Sequence, residues 1–152
     1  MCAHETFMDC PHYEQTLYVG DTRLHNLVNY TMSSDPRLAR RCIELFDWSR
    51  RFFGFTNSAY PATNAQLIST FPLYWVLMLH DYDWWCDDGD FVRACMPVMR
   101  GNLEAFANLG ADDGLIHETT GCAFIDTVTE WIDKLYPPDG TRGPSSIINL
   151  LH

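Results

Sequence analysis

Apolar residues recur every three to four positions along much of this chain and nowhere alternate, so the pattern predicts helices and no strands. A first helix starts near Asp21, carries Leu24, Leu27, Val28 and Tyr30 on one side, and ends near Ser33-Ser34. Asp35-Pro36 is a start signal, a capping side chain followed by proline at the first helical position. Leu38, Cys42, Leu45, Phe46, Ser49 and Phe52 then continue at helical spacing, while Arg40, Arg41 and Glu44 point away. Gly54 is the expected stop.

Residues 55–70 read as a loop broken by Asn57, Pro61 and Asn64. Thr70 and Pro72 open a third helix that is apolar nearly all round from Leu73 to Leu79, the pattern of a buried helix. Asp87-Asp88-Gly89 reads as a turn, and Asp90 as the cap of a fourth helix from Phe91 to about Asn108, closed by Gly110. Pro97 inside it should kink the helix or remove one backbone bond. Asp112-Asp113-Gly114 marks a turn, Leu115 to His117 an extended segment, and Phe124 to Leu135 a short helix or loop. Pro137 to Pro144 reads as a loop, after which Ser145-Ser146 caps a helix over Ile147 to Leu151 that is marginal without packing. Short turns between long helices imply antiparallel neighbours. The predicted fold class is all-α, built of helical hairpins.

Composition narrows the function. The 152 residues fit one domain, and 47% hydrophobic with 20% charged residues is the balance of a folded chain. The net charge of −10 argues against nucleic acid, because phosphate binding needs clustered Lys and Arg. No run approaches the roughly 18 to 20 apolar residues that span a bilayer, since Phe71 to Leu79 runs into His80-Asp81. No signal peptide is legible, because His4 and Glu5 interrupt the stretch where its apolar run would lie. The pattern therefore leaves localisation open. Six cysteines invite a disulfide framework, but Cys42, Cys86 and Cys95 fall in or beside helical patterns, where free thiols are the better expectation. Aromatic residues reach 14%, and rings beside carboxylates suit neutral polyols such as sugars.

The chemistry concentrates in the first twenty-one residues, where Asp9, Glu14 and Asp21 sit among aromatics and glycine. Three readings compete. Cys2-Ala3-His4 and Cys10-Pro11-His12 offer zinc-type ligands, but a one-residue gap does not match the usual two-to-four-residue spacing of such sites. A structural reading gives Asp9 a turn, Glu14 an arginine partner and Asp21 the cap of the following helix, without a reason for the three to converge. The third reading is glycoside hydrolysis. Inversion needs one protonated carboxyl for the leaving oxygen and a second carboxylate to activate water on the opposite face. Further carboxylates hold sugar hydroxyls and disfavour ionisation nearby.

The run from Cys2 to Gln15 that contains Asp9-Cys10-Pro11-His12-Tyr13-Glu14, followed by Tyr18-Val19-Gly20-Asp21-Thr22-Arg23, resembles the central motif of the α-L-rhamnosidases of glycoside hydrolase family 78. Leu38-Ala39-Arg40-Arg41 with Glu44-Leu45-Phe46, the segment Phe71 to Tyr82, Gly89-Asp90-Phe91 and Phe124-Ile125-Asp126 resemble that family in order and spacing. The resemblance implies an (α/α)6 barrel that cleaves terminal α-L-rhamnose with inversion. By motif position Glu14 matches the general acid, and Asp9 and Asp21 match carboxylates that bind the sugar hydroxyls. Asp126 resembles a further pocket carboxylate, with Trp131 nearby as a stacking wall. No cofactor or metal is implied.

Such a barrel needs about twelve helices, and only four with the beginning of another are legible here. The family's general base comes from a later part of the barrel. The expectation is a single partial catalytic domain over residues 1–152, truncated at both ends and roughly the first half of the barrel. Its expected partners are a rhamnose-containing glycoside or polysaccharide and the remaining half of the barrel or a self-associating copy. The competing expectation is a non-catalytic carbohydrate-binding or assembly module that keeps the sugar-side carboxylates.

Overall fold

A computed structural model of the chain describes residues 2–50, 54–118, 121–122, 124–131 and 144–152. The helical periodicity emerges as α1 (Val19–Met32), α2 (Arg37–Ser49), α3 (Phe71–Trp85), α4 (Gly89–Ala107) and the short α5 (Ser146–Leu151). Ahead of them β1 (Cys2–Ala3) and β2 (Phe7–Met8) pair antiparallel, a hairpin absent from the sequence reading because two residues a side are too few to alternate. Phe52, residues 132–135 of the expected helix or loop, and residues 137–143 of the expected Pro-Gly loop lie outside the described residues.

Side-chain pairs fix the directions of the helices. The Tyr18 and Phe71 rings meet 6.4 Å apart at the start of α1 and α3, and Tyr30 stacks on Trp85 at 6.1 Å near their ends, so these two helices run parallel. Tyr82 faces Phe91 at 5.3 Å, while Asn102 Nδ2 donates to the Pro72 carbonyl at 3.4 Å, so α4 runs antiparallel to α3. From α3, Trp75 Nε1 donates to the Ile43 carbonyl of α2 at 3.2 Å, and Arg40 of α2 reaches Asp88 just beyond the far end of α3 at 2.9 Å. The chain therefore forms two consecutive antiparallel hairpins, α1/α2 and α3/α4, whose first helices point the same way. That is the arrangement of a partial helical barrel.

Helix α3 forms the centre, as its all-round apolar pattern requires. Phe71, Trp75, Met78, Leu79 and Tyr82 are buried there and pack with Ala39, Cys42, Ile43 and Phe46 of α2. In α1 the expected apolar side is packed only in part: Tyr30 packs against the core, but Leu24 is 63% exposed and Val28 46% exposed, whereas Val19, Thr22 and Asn26 are buried. Small Gly20 permits this, because a Cβ there would stand 3.1 Å from the Phe71 ring. The fourth helix is capped by Asp88, whose side chain accepts from the Phe91 N–H, and not by Asp90, which lies inside its first turn. Pro97 is accommodated within a helix that continues to Ala107.

A second core cluster explains how six-residue α5 is held. Ile148 packs with Phe55, Leu67, Leu73, Phe106 and Ile116, and Asn149 brackets Ile116 by accepting its N–H at 2.9 Å and donating to its carbonyl at 3.0 Å. Thiols of Cys10, Cys42, Cys86 and Cys95 are free.

Candidate active site

Loops gather at the N-terminal ends of α1 and α3. The Val19 N–H donates to the Ser58 carbonyl at 2.9 Å, and the Ser58 N–H donates to the Gln66 carbonyl at 2.9 Å. The Cys122 N–H donates to the Leu67 carbonyl at 2.8 Å, and the Ser69 N–H to the Cys122 carbonyl at 2.9 Å. Gly121 makes that last junction feasible. Its φ is +94°, and a Cβ would fall 2.3 Å from the Leu67 carbonyl oxygen, so the strand-like approach admits no side chain. Together these segments bank the floor of a cavity of about 650 Å³.

Asp9, Glu14, Tyr18, Asp21, Arg23 and Asp126 line the cavity together with the more apolar Ile68, Phe71, Tyr74, Phe124 and Ile125. Four of the five residues singled out from sequence are thus brought together. Trp131 is half-buried but is not among the residues lining the cavity. Tyr13 is 88% exposed and also stands away from it. Gln66, Tyr74 and Cys122 line the cavity without having been legible as site residues. A signal existed in the loop before α3, where Thr56, Asn57, Ser58, Ser69 and Thr70 are small polar residues that all prove buried.

The acid-bearing loop is tightly closed. The Asp9 N–H donates to the Thr16 carbonyl at 3.0 Å, and the Thr16 N–H returns a bond to Asp9 Oδ1 at 2.8 Å. Gln15 adopts φ +52°, unusual for a side-chain-bearing residue, and its Nε2 donates to the Pro11 carbonyl at 2.6 Å. Glu14 therefore sits on a backbone held on both sides. Asp21 lies in the first turn of α1 and leaves the capping position to Tyr18, which makes no side-chain cap bond. Arg23 is committed elsewhere, with its Nε 2.7 Å from Asp81 Oδ2.

These environments push the titrating groups apart. Burial works against the Asp9 carboxylate, but hydrogen bonds from Cys10 and Thr16 outweigh it and hold its pKa below the ordinary value. Burial raises the pKa of Asp21, and the charges of Asp9 and Glu14 add to the effect against its own backbone N–H and His25. The Tyr18 phenol is pushed up to about 12 by burial, by its hydrogen bond to Glu14 and by the surrounding carboxylates. It stays a donor throughout the neutral range. The result is a cavity rich in acceptors with a neutral donor among them, a surface that fits hydroxylated, uncharged ligands. Among the described residues no group of three or more His, Cys, Asp or Glu side chains is placed to hold a metal ion.

Two solved structures share this fold. A family 78 rhamnosidase from Bacillus sp. GL1 superposes with a TM-score of 0.85 at 27% identity, over 99% of this chain and 15% of that one. The chain matches a segment of a family 78 rhamnosidase. A rhamnosidase from Klebsiella oxytoca, solved with rhamnose bound, superposes with a TM-score of 0.74 at 26% identity, over 88% of this chain and 27% of that one. The chain thus spans well under a third of either structure. No protein-family model and no curated protein matches it. The fold is that of a glycoside hydrolase and its neighbours are glycosidases.

Proposed function

We propose that this chain carries the acid side of the active site of an inverting α-L-rhamnosidase and acts on terminal α-L-rhamnosyl linkages in a rhamnose-containing glycoside or polysaccharide. One observation carries the reading: Asp9, Glu14 and Asp21 from the opening stretch and the distant Asp126 line a single cavity in a fold shared with rhamnosidases.

In this reading Glu14 is the general acid. It delivers its proton to the glycosidic oxygen as the bond to the anomeric carbon breaks, and water attacks that carbon from the opposite face. Tyr18, hydrogen-bonded to Glu14 and protonated at neutral pH, steadies the carboxylate formed when the proton leaves. Asp9, ionised, accepts sugar hydroxyls strongly, and Asp21 with Asp126 supplies further hydroxyl contacts. The general base that activates the water is supplied from outside residues 1–152, and these residues form one partial catalytic domain.

Azide tests the assignment, because it attacks carbon without needing a base. The chain incubated with an aryl α-L-rhamnoside and azide is expected to yield β-L-rhamnosyl azide, with the aryloxide leaving as the phenol. Glu14→Gln should lower the yield by about 100-fold for a poorly departing aryl group. An α-configured azide, or an undiminished yield from Glu14→Gln, contradicts the reading.

A further inference from the structure

Cys10 is the residue of the acid loop to which the proposed reaction gives no task, yet it touches the carboxylate residues on either side of it. Its Sγ accepts the backbone N–H of Glu14 at 3.3 Å. The same side chain adjoins the Asp9 carboxylate and is among the groups that hold its pKa below the ordinary value. An ionised carboxylate only accepts and a backbone N–H only donates, so the group between them must do both. A thiol has one S–H to give and a sulfur lone pair to receive, and it meets both demands from a single atom.

We infer that Cys10 is a positioning residue: its thiol donates to Asp9 and accepts from the Glu14 amide, and so fixes the acid-bearing backbone against the neighbouring sugar ligand. The role rests on the glycosidase reading of Asp9 and Glu14, and its geometric basis is the bond from the Glu14 N–H to Cys10 Sγ. Asp9 Oδ1 is already occupied by the Thr16 N–H at 2.8 Å, and Gln15 is anchored to Pro11. Cys10 closes the remaining freedom in the loop, the swing of Glu14 relative to Asp9. Alanine at this position would remove donor and acceptor together. Serine would keep both on a shorter arm and restore the link in part.

Cys10→Ala and Cys10→Ser are compared with the unaltered chain by carboxyl-carbon NMR titration of Asp9, amide exchange at Glu14 and L-rhamnose affinity. Cys10→Ala should shift the Asp9 titration upward, speed exchange at Glu14 about tenfold and weaken L-rhamnose roughly three- to tenfold. Cys10→Ser should recover most of each change. A Cys10→Ala chain that matches the unaltered one in all three, or a Cys10→Ser chain no better than Cys10→Ala, overturns the role. An unaltered chain with no affinity for L-rhamnose overturns instead the glycosidase reading on which the role rests. The two failures are distinct, because failure of the role alone leaves that affinity intact.

Discussion

Asp21 shows how a site residue differs from a structural one. A surface aspartate near a helix N-terminus is usually stabilising. Here burial and the charges of Asp9 and Glu14 raise its pKa above the ordinary 3.8, so the folded chain holds the proton more tightly than the unfolded chain. Ionisation of Asp21 therefore costs stability. The cost is fully present above the raised folded pKa, shrinks as pH falls through it, and is gone below the unfolded value. Asp21→Asn is expected to raise Tm at pH 7, with the gain vanishing below about pH 3.8, while L-rhamnose affinity falls about tenfold. Thermal melts across pH, paired with sugar titration, check both halves. A variant that lost stability at pH 7 would return Asp21 to a structural role. At this scale the sequence was most legible where chemistry is local: Asp9, Glu14 and Asp21 announce themselves as carboxylates among aromatics and glycine. Gly121 and Cys122 did not, because their task is set by the approach of Leu67 and Ser69, more than fifty positions away. Residue type alone carries no trace of that.

Helix boundaries show which signals an element transmits. The all-round apolar run of α3 foretold a buried central helix, and Ser145 caps α5 as expected, its Oγ accepting the Ile148 N–H. The cap of α4 was displaced by two residues, from Asp90 to Asp88, for a tertiary reason. Asp88 Oδ1 takes the Phe91 N–H at 3.4 Å, and its Oδ2 also accepts from Tyr82 Oη at 3.0 Å and from Arg40 Nη1 at 2.9 Å. One carboxylate thus joins α2, α3 and α4. Asp88→Ala should cost about 1–2 kcal/mol, measured by urea unfolding, because it removes a cap and orphans the Tyr82 hydroxyl. Asp90→Ala should cost under about 0.5 kcal/mol, since its partner Arg93 is an exposed neighbour one turn away. Equal losses from the two would show that the Asp88 cap and its bonds to Tyr82 and Arg40 add nothing beyond an exposed ion pair. The face of α1 was misread for a related reason: periodicity shows that Leu24 and Val28 share a side, but not which side the rest of the chain covers.

At the scale of the molecule, the first turn of α1 and the segments outside the helices place four carboxylates around one cavity of about 650 Å³. The exposed stripe of Leu24, Val28 and Met32 runs along α1 from the cavity, which Leu24 itself lines, an apolar surface of the kind that further helices of a barrel would cover. On the proposed reading, residues 1–152 bind the sugar and hold the acid while the water-activating carboxylate lies elsewhere. Sugar binding should therefore survive in this chain even where hydrolysis does not. The most direct measurement is an NMR titration of the isolated chain with L-rhamnose. The account predicts saturable shifts, at roughly millimolar affinity for so small a ligand in an open site, confined to Asp9, Glu14, Tyr18, Asp21 and their neighbours. Asp9→Asn combined with Asp21→Asn should abolish them. Shifts that do not saturate, that map outside the cavity, or that persist in the double variant would contradict it.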